Sequence, residues 1–285
     1  MSIPRVLIAM LVLCIVGCTA KPPVADQKKV PEVGAEVRAL HVPLNDYKLS
    51  RLDLQTIEYA EDFLTRDCMR DLGMDWKMLP PPSNQDPDPL DRRRYGLIEP
   101  EIATRFGYHL PPPAPELAAR ESVWAHRERL PPTQRRAAYG DDGQGGCRAE
   151  ARNHLRKDIP DLDRSRLYDF SAEAFKASLK DPEVVQVFRT WRTCMKAEGL
   201  RYSDPLEPFG DAAWAESKRP SAQEIAVAET DVRCKQETGL VSVWSGVEER
   251  IQLDVIRSHH EDFEGFMRAK NAELNAARRT VEEFG

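Results

Sequence analysis

One stretch of this chain occurs twice, and the repeat constrains the fold more than any other feature. Arg66-Asp67-Cys68-Met69-Arg70-Asp71-Leu72-Gly73-Met74-Asp75-Trp76 returns as Arg192-Thr193-Cys194-Met195-Lys196-Ala197-Glu198-Gly199-Leu200-Arg201-Tyr202. In each copy a base stands two residues before the cysteine, and Cys-Met is followed by another base. A glycine comes five residues after the cysteine, and an aromatic three after the glycine. A glycine just past an amphipathic run supplies the left-handed residue that stops a helix. Each copy therefore predicts a last helical turn, a glycine stop and an aromatic that folds back. Two further matches extend the repeat. Asp88-Pro89-Leu90-Asp91 pairs with Asp204-Pro205-Leu206-Glu207, and Cys147-Arg148-Ala149-Glu150 with Cys234-Lys235-Gln236-Glu237.

The N-terminus has a different character. Arg5 precedes an uninterrupted apolar run over residues 6–16, the length of a signal-peptide core and too short to span a bilayer. The run ends in Ile15-Val16-Gly17-Cys18, which resembles the lipobox of bacterial lipoproteins. That resemblance implies that residues 1–17 are a cleaved signal peptide. It also implies a covalent diacylglycerol on the Cys18 thiol and fatty acylation of the palmitate type on the new amino group. The protein would then sit on the outer, extracytoplasmic face of the cell membrane. Two acyl chains suffice for stable anchoring where one would bind reversibly. Residues 18–40, with Lys21-Pro22-Pro23 and Lys28-Lys29-Val30-Pro31, hold little to bury and read as a flexible tether.

Of six cysteines, Cys14 leaves with the signal and Cys18 carries lipid, leaving Cys68, Cys147, Cys194 and Cys234. In an exported protein four cysteines mean two disulfides, with three pairings open. A zinc site is disfavoured because no Cys-x-x-Cys occurs. If the repeat is a true duplication, the pairs are Cys68–Cys147 and Cys194–Cys234. The first copy then holds the longer insertion, 79 residues between cysteines against 40.

Helical signals fill the folded part and no stretch reads as a strand. Ser50 with Asp53 opens a helix carrying Ile57, Ala60, Leu64 and Cys68 at helical spacing. Glu99-Pro100 opens another to Phe106, and proline clusters bracket a third over residues 116–129. Asp181-Pro182-Glu183 caps a helix whose Val184, Phe188, Trp191 and Met195 form one stripe. Ser221-Ala222-Gln223-Glu224 is a capping box. From Leu240 the pattern runs as one long helix or two broken near Ser258. Its seam of Ile256, His260, Phe263, Met267, Lys270, Leu274, Ala277, Val281 and Phe284 suits packing along another helix, within this chain or on a partner. The expected fold is mainly α: a disulfide-stapled helical domain of two duplicated units with proline-rich loops and a long C-terminal helix. Residues 41–160 would form the first unit, with a long loop insertion, and residues 161–285 the second. The order of cysteines is similar to that of uncharacterised exported lipoproteins of high-GC Gram-positive bacteria. The matching residues are Cys18, the two Cys-Met-x-x-x-Gly ends, and the Arg94-Tyr95-Gly96 and Phe106-Gly107-Tyr108 segments. That group supplies no activity.

A net charge of -6 argues against nucleic acid as a partner. No catalytic constellation stands out: there is no Gly-x-Ser-x-Gly elbow, no His-x-x-x-His and no zinc motif. The glycine-rich run over residues 140–146 lacks the Lys-Ser/Thr of a phosphate loop and the alternating acids of a calcium loop, so it reads as a turn into Cys147. No metal or other cofactor is expected. The most distinctive surface chemistry is arginine with aromatics, Arg94-Tyr95 and Arg105-Phe106 with Tyr108, a candidate partner surface for an acidic or glycan ligand. The expected function is a non-enzymatic binding or scaffold module of the cell envelope, holding an envelope protein or polymer. The alternatives are a hydrolase acting on a cell-wall or extracellular polymer, and an accessory or sensor subunit docked through residues 256–284.

Overall fold

The computed structural model describes residues 31–86, 88–160 and 162–284, so the expected signal peptide, Cys18 and most of the tether lie outside the described residues. Among the described residues the chain forms eleven α-helices and two 3-10 turns, with no strand. The first-half helices are α1 (Ala35–Arg38), α2 (Arg51–Asp71), α3 (Pro100–Phe106), α4 (Pro115–Arg127), α5 (Pro132–Tyr139) and α6 (Gly146–Arg156). The second-half helices are α7 (Ser165–Ser178), α8 (Pro182–Ala197), α9 (Ala222–Thr238), α10 (Leu240–Ser258) and α11 (His260–Phe284).

Capping sets where these helices begin. The Ser50 hydroxyl accepts from Asp53 N at 3.1 Å, and Asp53 accepts from Ser50 N at 2.8 Å. Ser221 and Glu224 repeat that box at the start of α9. Asp181 accepts from Glu183 N at 2.8 Å, with Pro182 in the first turn of α8. Each cap satisfies amide protons that no preceding turn can reach.

The duplicated ends close alike. Gly73 and Gly199 take φ of 70° and 80°. Their left-handed turn lets Met74 N donate to Met69 O at 2.9 Å and Leu200 N to Met195 O at 3.0 Å. Met69 and Met195 are fully buried beneath the two turns. The disulfides pair as the duplication predicts, Cys68 with Cys147 and Cys194 with Cys234, each with a Cα–Cα distance of 5.7 Å. One staples the end of α2 to α6, the other the end of α8 to α9.

Helices of the two halves pack against each other on both sides of residue 160. Ile57 and Ala60 of α2 are covered by Leu274 and Ala277 of α11, with Leu155 of α6 beside them. Ile102, Ala103 and Phe106 of α3 pack against Val227, Ala228 and Val232 of α9. A short helix such as α3 cannot cover its own apolar side, so the halves interlock. The seam of α11 therefore docks within the chain, and the helix is broken from α10 at His259.

The body begins before residue 40: Val33 and Val37 are buried against Ile98, and Gly34 N donates to Glu99 at 2.9 Å. Helices α5 and α7 carry no strong sequence signal. Along α7 the buried positions are Leu167, Ser171, Ala174 and Ser178, a helical stripe hidden by its small and polar members.

Opening the second staple while keeping its volume tests how much it contributes. Closing a loop of this length is worth about 4 kcal/mol by chain entropy. The Cys194→Ser/Cys234→Ser variant should lose stability of that order, read as a lower urea midpoint with the helical circular dichroism unchanged before the transition.

Candidate functional site

Of the arginine and aromatic residues expected as a partner surface, Tyr95, Phe106 and Tyr108 are buried, while Arg94 and Arg105 are partly buried and engaged within the chain. Arg94 donates from Nε to Glu248 at 3.0 Å and lies over the Phe175 ring at 5.1 Å. The Tyr95 hydroxyl donates to the same Glu248 at 3.0 Å. Tyr108 donates to Asp231 at 3.1 Å and stacks on Trp214 with centroids 5.7 Å apart. Phe106 is buried in the core with α9, and Arg105 covers its ring at 5.1 Å while pairing with Glu101 at 2.8 Å. The reason lies in the acids beneath them. Asp231 and Glu248 sit on helix faces that the core closes over, and a buried carboxylate needs donors and a cation.

That rule holds across the body. Glu99 pairs with Arg92 at 2.7 Å, Asp231 with Lys235 at 2.8 Å, Glu224 with His109 at 2.7 Å, Glu248 with Arg94 and Asp62 with Arg127. Burial drives the Asp231 carboxyl above its usual range, and Lys235, the Trp191 indole and Tyr108 act against that rise. These carboxylates hold the fold together.

One constellation has the spacing of a nucleophilic triad. His109 Nε2 lies 3.2 Å from Ser217 Oγ, and its Nδ1 lies 2.7 Å from Glu224 Oε1. The proton inventory points elsewhere. Nε2 is also 2.8 Å from the Ser217 carbonyl oxygen, which can only accept, so both ring nitrogens face acceptors and both carry protons. The Ser217 hydroxyl donates to Arg219 O at 3.1 Å rather than to the ring. Partial burial pulls the imidazole pKa down, but the Ser217 carbonyl and Glu224 outweigh it and leave His109 above its usual 6.5. His109 is a cationic clamp between α9 and the loop over residues 211–220. The sequence hid this arrangement because its members are 108 and 115 residues apart.

The densest arginine–aromatic arrangement lies beside the first staple, buried or partly buried. Arg127 sits between two indoles, 4.3 Å from the Trp76 centroid and 4.7 Å from Trp124. Arg148 also lies over Trp124 at 4.7 Å and is 5.7 Å from Tyr139. The arrangement is pinned from below: Arg127 pairs with Asp62, and Arg148 with Glu61 at 3.0 Å. Trp76 donates to Asp62 at 3.2 Å, so the aromatic that folds back from the Gly73 turn anchors the whole wall.

Open grooves flank this wall. One of about 610 Å³ is lined by Arg66, Arg70, Lys77 and His126, with Trp76, Met74, Gln134 and one acid, Asp75. A second, of about 640 Å³, lies between Trp124, Tyr139, Arg135 and Arg136 and the glycine-rich turn. That turn is closed by Gly145 N donating to Tyr139 O at 2.9 Å and carries the chain into Cys147. A third, of about 990 Å³, is walled by Pro80, Pro81, Pro82 and Pro115. Among the described residues no cluster of His, Cys, Asp and Glu is placed to hold a metal ion, and no helix is long and apolar enough to cross a membrane. No protein-family model, curated protein or solved structure matches the chain.

The clamp has a pH signature. A group whose pKa rises on folding stabilises fully below its unfolded value and loses that contribution as pH climbs through the folded value. The stability difference between the wild type and His109→Ala should be flat below pH 6.5 and shrink above it, measured by urea unfolding across that range.

Proposed function

We propose that this chain is an exported, lipid-anchored envelope protein whose helical body binds an acidic envelope polymer without transforming it. Residues 1–17 direct export, Cys18 carries the diacylglycerol, and a tether shorter than its sequence suggests leads to the body near Val33. The observation that carries the binding reading is the groove of Arg66, Arg70, Lys77 and His126 beside the aromatic–arginine wall. Arg66 and Arg70 share Asp67 at 3.2 and 3.0 Å, Lys77 adds a further positive charge, and the wall behind them is already immobilised by Asp62 and Glu61. A preordered wall loses little entropy when a ligand arrives. The seam of α11 is covered by α2, so an accessory-subunit role would have to use the outward polar side of that helix.

A hydrolase is the second reading, favoured by the spacing of Ser217, His109 and Glu224. A fluorophosphonate probe separates the two. Labelling at Ser217 that disappears in Ser217→Ala would establish the hydrolase and defeat the binding-only reading.

Two measurements test the leading proposal. Cys18→Ala should leave the membrane fraction for the soluble one, and continued tight association would refute lipidation. Solubilised full chain should bind polygalacturonate over neutral dextran and weaken as salt rises. The Arg66→Glu/Arg70→Glu/Lys77→Glu variant should lose at least tenfold in affinity, since each exposed charge contact is worth about 1 kcal/mol. Equal binding by the reversed groove, or equal binding of dextran, would remove the groove from the function.

A further inference from the structure

The two staples share more than their spacing. Glu150 and Glu237 stand three residues after the second cysteine of each pair, and each reaches back to the first. Glu150 Oε2 lies 3.7 Å from Cys68 Sγ, and Glu237 Oε2 lies 3.6 Å from Cys194 Sγ. A bridged sulfur has no proton to donate, so neither contact is a hydrogen bond. Each sets a carboxylate beside a sulfur lone pair. Within each bridge one end is hidden: Cys147 and Cys234 are buried, while Cys68 and Cys194 are partly exposed. A reagent coming from solvent meets the guarded sulfur first.

We propose that Cys68 and Cys194 are the entry sites for thiol–disulfide exchange, and that Glu150 and Glu237 select the thiols that react by excluding those with additional negative charge. In the first bridge the sulfur of an external thiolate attacks Cys68 Sγ and forms a new S–S bond. The Cys68–Cys147 bond breaks, and its electron pair leaves on Cys147 Sγ, which takes up a proton. A second thiolate then displaces Cys68 from the mixed disulfide, so that two equivalents of small thiol are oxidised and one bridge is reduced. The attacking sulfur is anionic whatever the thiol. The carboxylate opposes every reagent, more strongly one that carries a further anion and less strongly one that carries an ammonium group. One charge pair about 4 Å apart in water is worth roughly a fivefold change in rate.

The two sites are not equivalent. Glu237 shares its charge with Arg233, whose Nη1 lies 3.3 Å away. Among the described residues Glu150 has no such ion pair, so the selection is stronger at Cys68.

The experiment uses the full chain at low ionic strength with cysteamine, 2-mercaptoethanol and 2-mercaptoethanesulfonate, each rate corrected for its thiolate fraction. Mixed disulfides are located by peptide mapping. The expected adducts are on Cys68 and Cys194, with cysteamine fastest and the sulfonate slowest. Glu150→Gln should shrink the cysteamine-to-sulfonate ratio at Cys68 by up to about 25-fold, about fivefold for each of the two opposite charges. Glu237→Gln should shrink it less at Cys194, and high salt should abolish the selection in the wild type. Adducts on Cys147 or Cys234 would overturn the entry-site assignment. A Glu150→Gln variant that reacts faster with all the thiols alike would show local loosening and overturn the electrostatic selection.

Discussion

The structure depends on the neutralisation of carboxylates that its own packing has taken out of water. Asp231 shows the logic most fully. It has no exposed surface, yet it receives the Trp191 indole from α8, the Tyr108 hydroxyl from the loop after α3, and the Lys235 ammonium one turn along α9. Lys235 also donates to Leu97 O at 3.0 Å, so one buried charge joins segments from both halves of the chain. Removing one partner of such a group leaves an uncompensated charge, which costs several kcal/mol. Replacing the set with apolar residues could be neutral in stability, but it would free those segments to pack in other registers. The charges therefore specify the arrangement more than they strengthen it.

The duplicated ends use that device in two forms. In the first copy Asp62 on the cysteine-bearing helix takes the indole of Trp76, the residue that folds back after the glycine, together with Arg127. In the second copy the roles are exchanged. Trp191 stands on the cysteine-bearing helix, and Asp231 comes from the helix stapled to it. The glycine turns, the buried methionines and the Cys-x-x-Glu contacts kept their places, whereas the aromatic–acid pair did not. In the first copy the insertion adds Trp124, Arg127 and Tyr139 to Trp76 and Arg148 of the repeated segments, and together they form the aromatic–arginine wall.

Local signals in the sequence were legible where one residue determines one geometry. Ser50 and Ser221 announced their helices because a cap acts within a single turn. Gly73 and Gly199 announced their stops for the same reason, and the repeat carried the disulfide pairing. What escaped were features that depend on distant partners. Nothing near Arg94, Tyr95 or Tyr108 reveals that Glu248 and Asp231 wait for them more than 100 residues away, so an arginine–aromatic run read as surface. Helix α7 escaped because Ser171 and Ser178 lie on its buried side, where Ser178 accepts from the Trp244 indole at 2.8 Å. The cationic groove escaped as well, since Arg66, Lys77 and His126 converge only once the chain is folded.

The attachment of Gly34 to Glu99 has a mechanical meaning. A body held at its N-terminus receives any pull through the residues before α1, and the contact that resists it there is a 2.9 Å hydrogen bond from Gly34 N to Glu99. Glu99 is itself gripped by Arg92 through Nε at 2.7 Å and Nη2 at 3.0 Å. Tension would thus load a buried ion pair in the first half before it reached either disulfide. If the chain is anchored as proposed, this segment is a non-covalent latch that can open and close again, and peeling residues 33–37 away would lengthen the connection while the stapled helices remain folded.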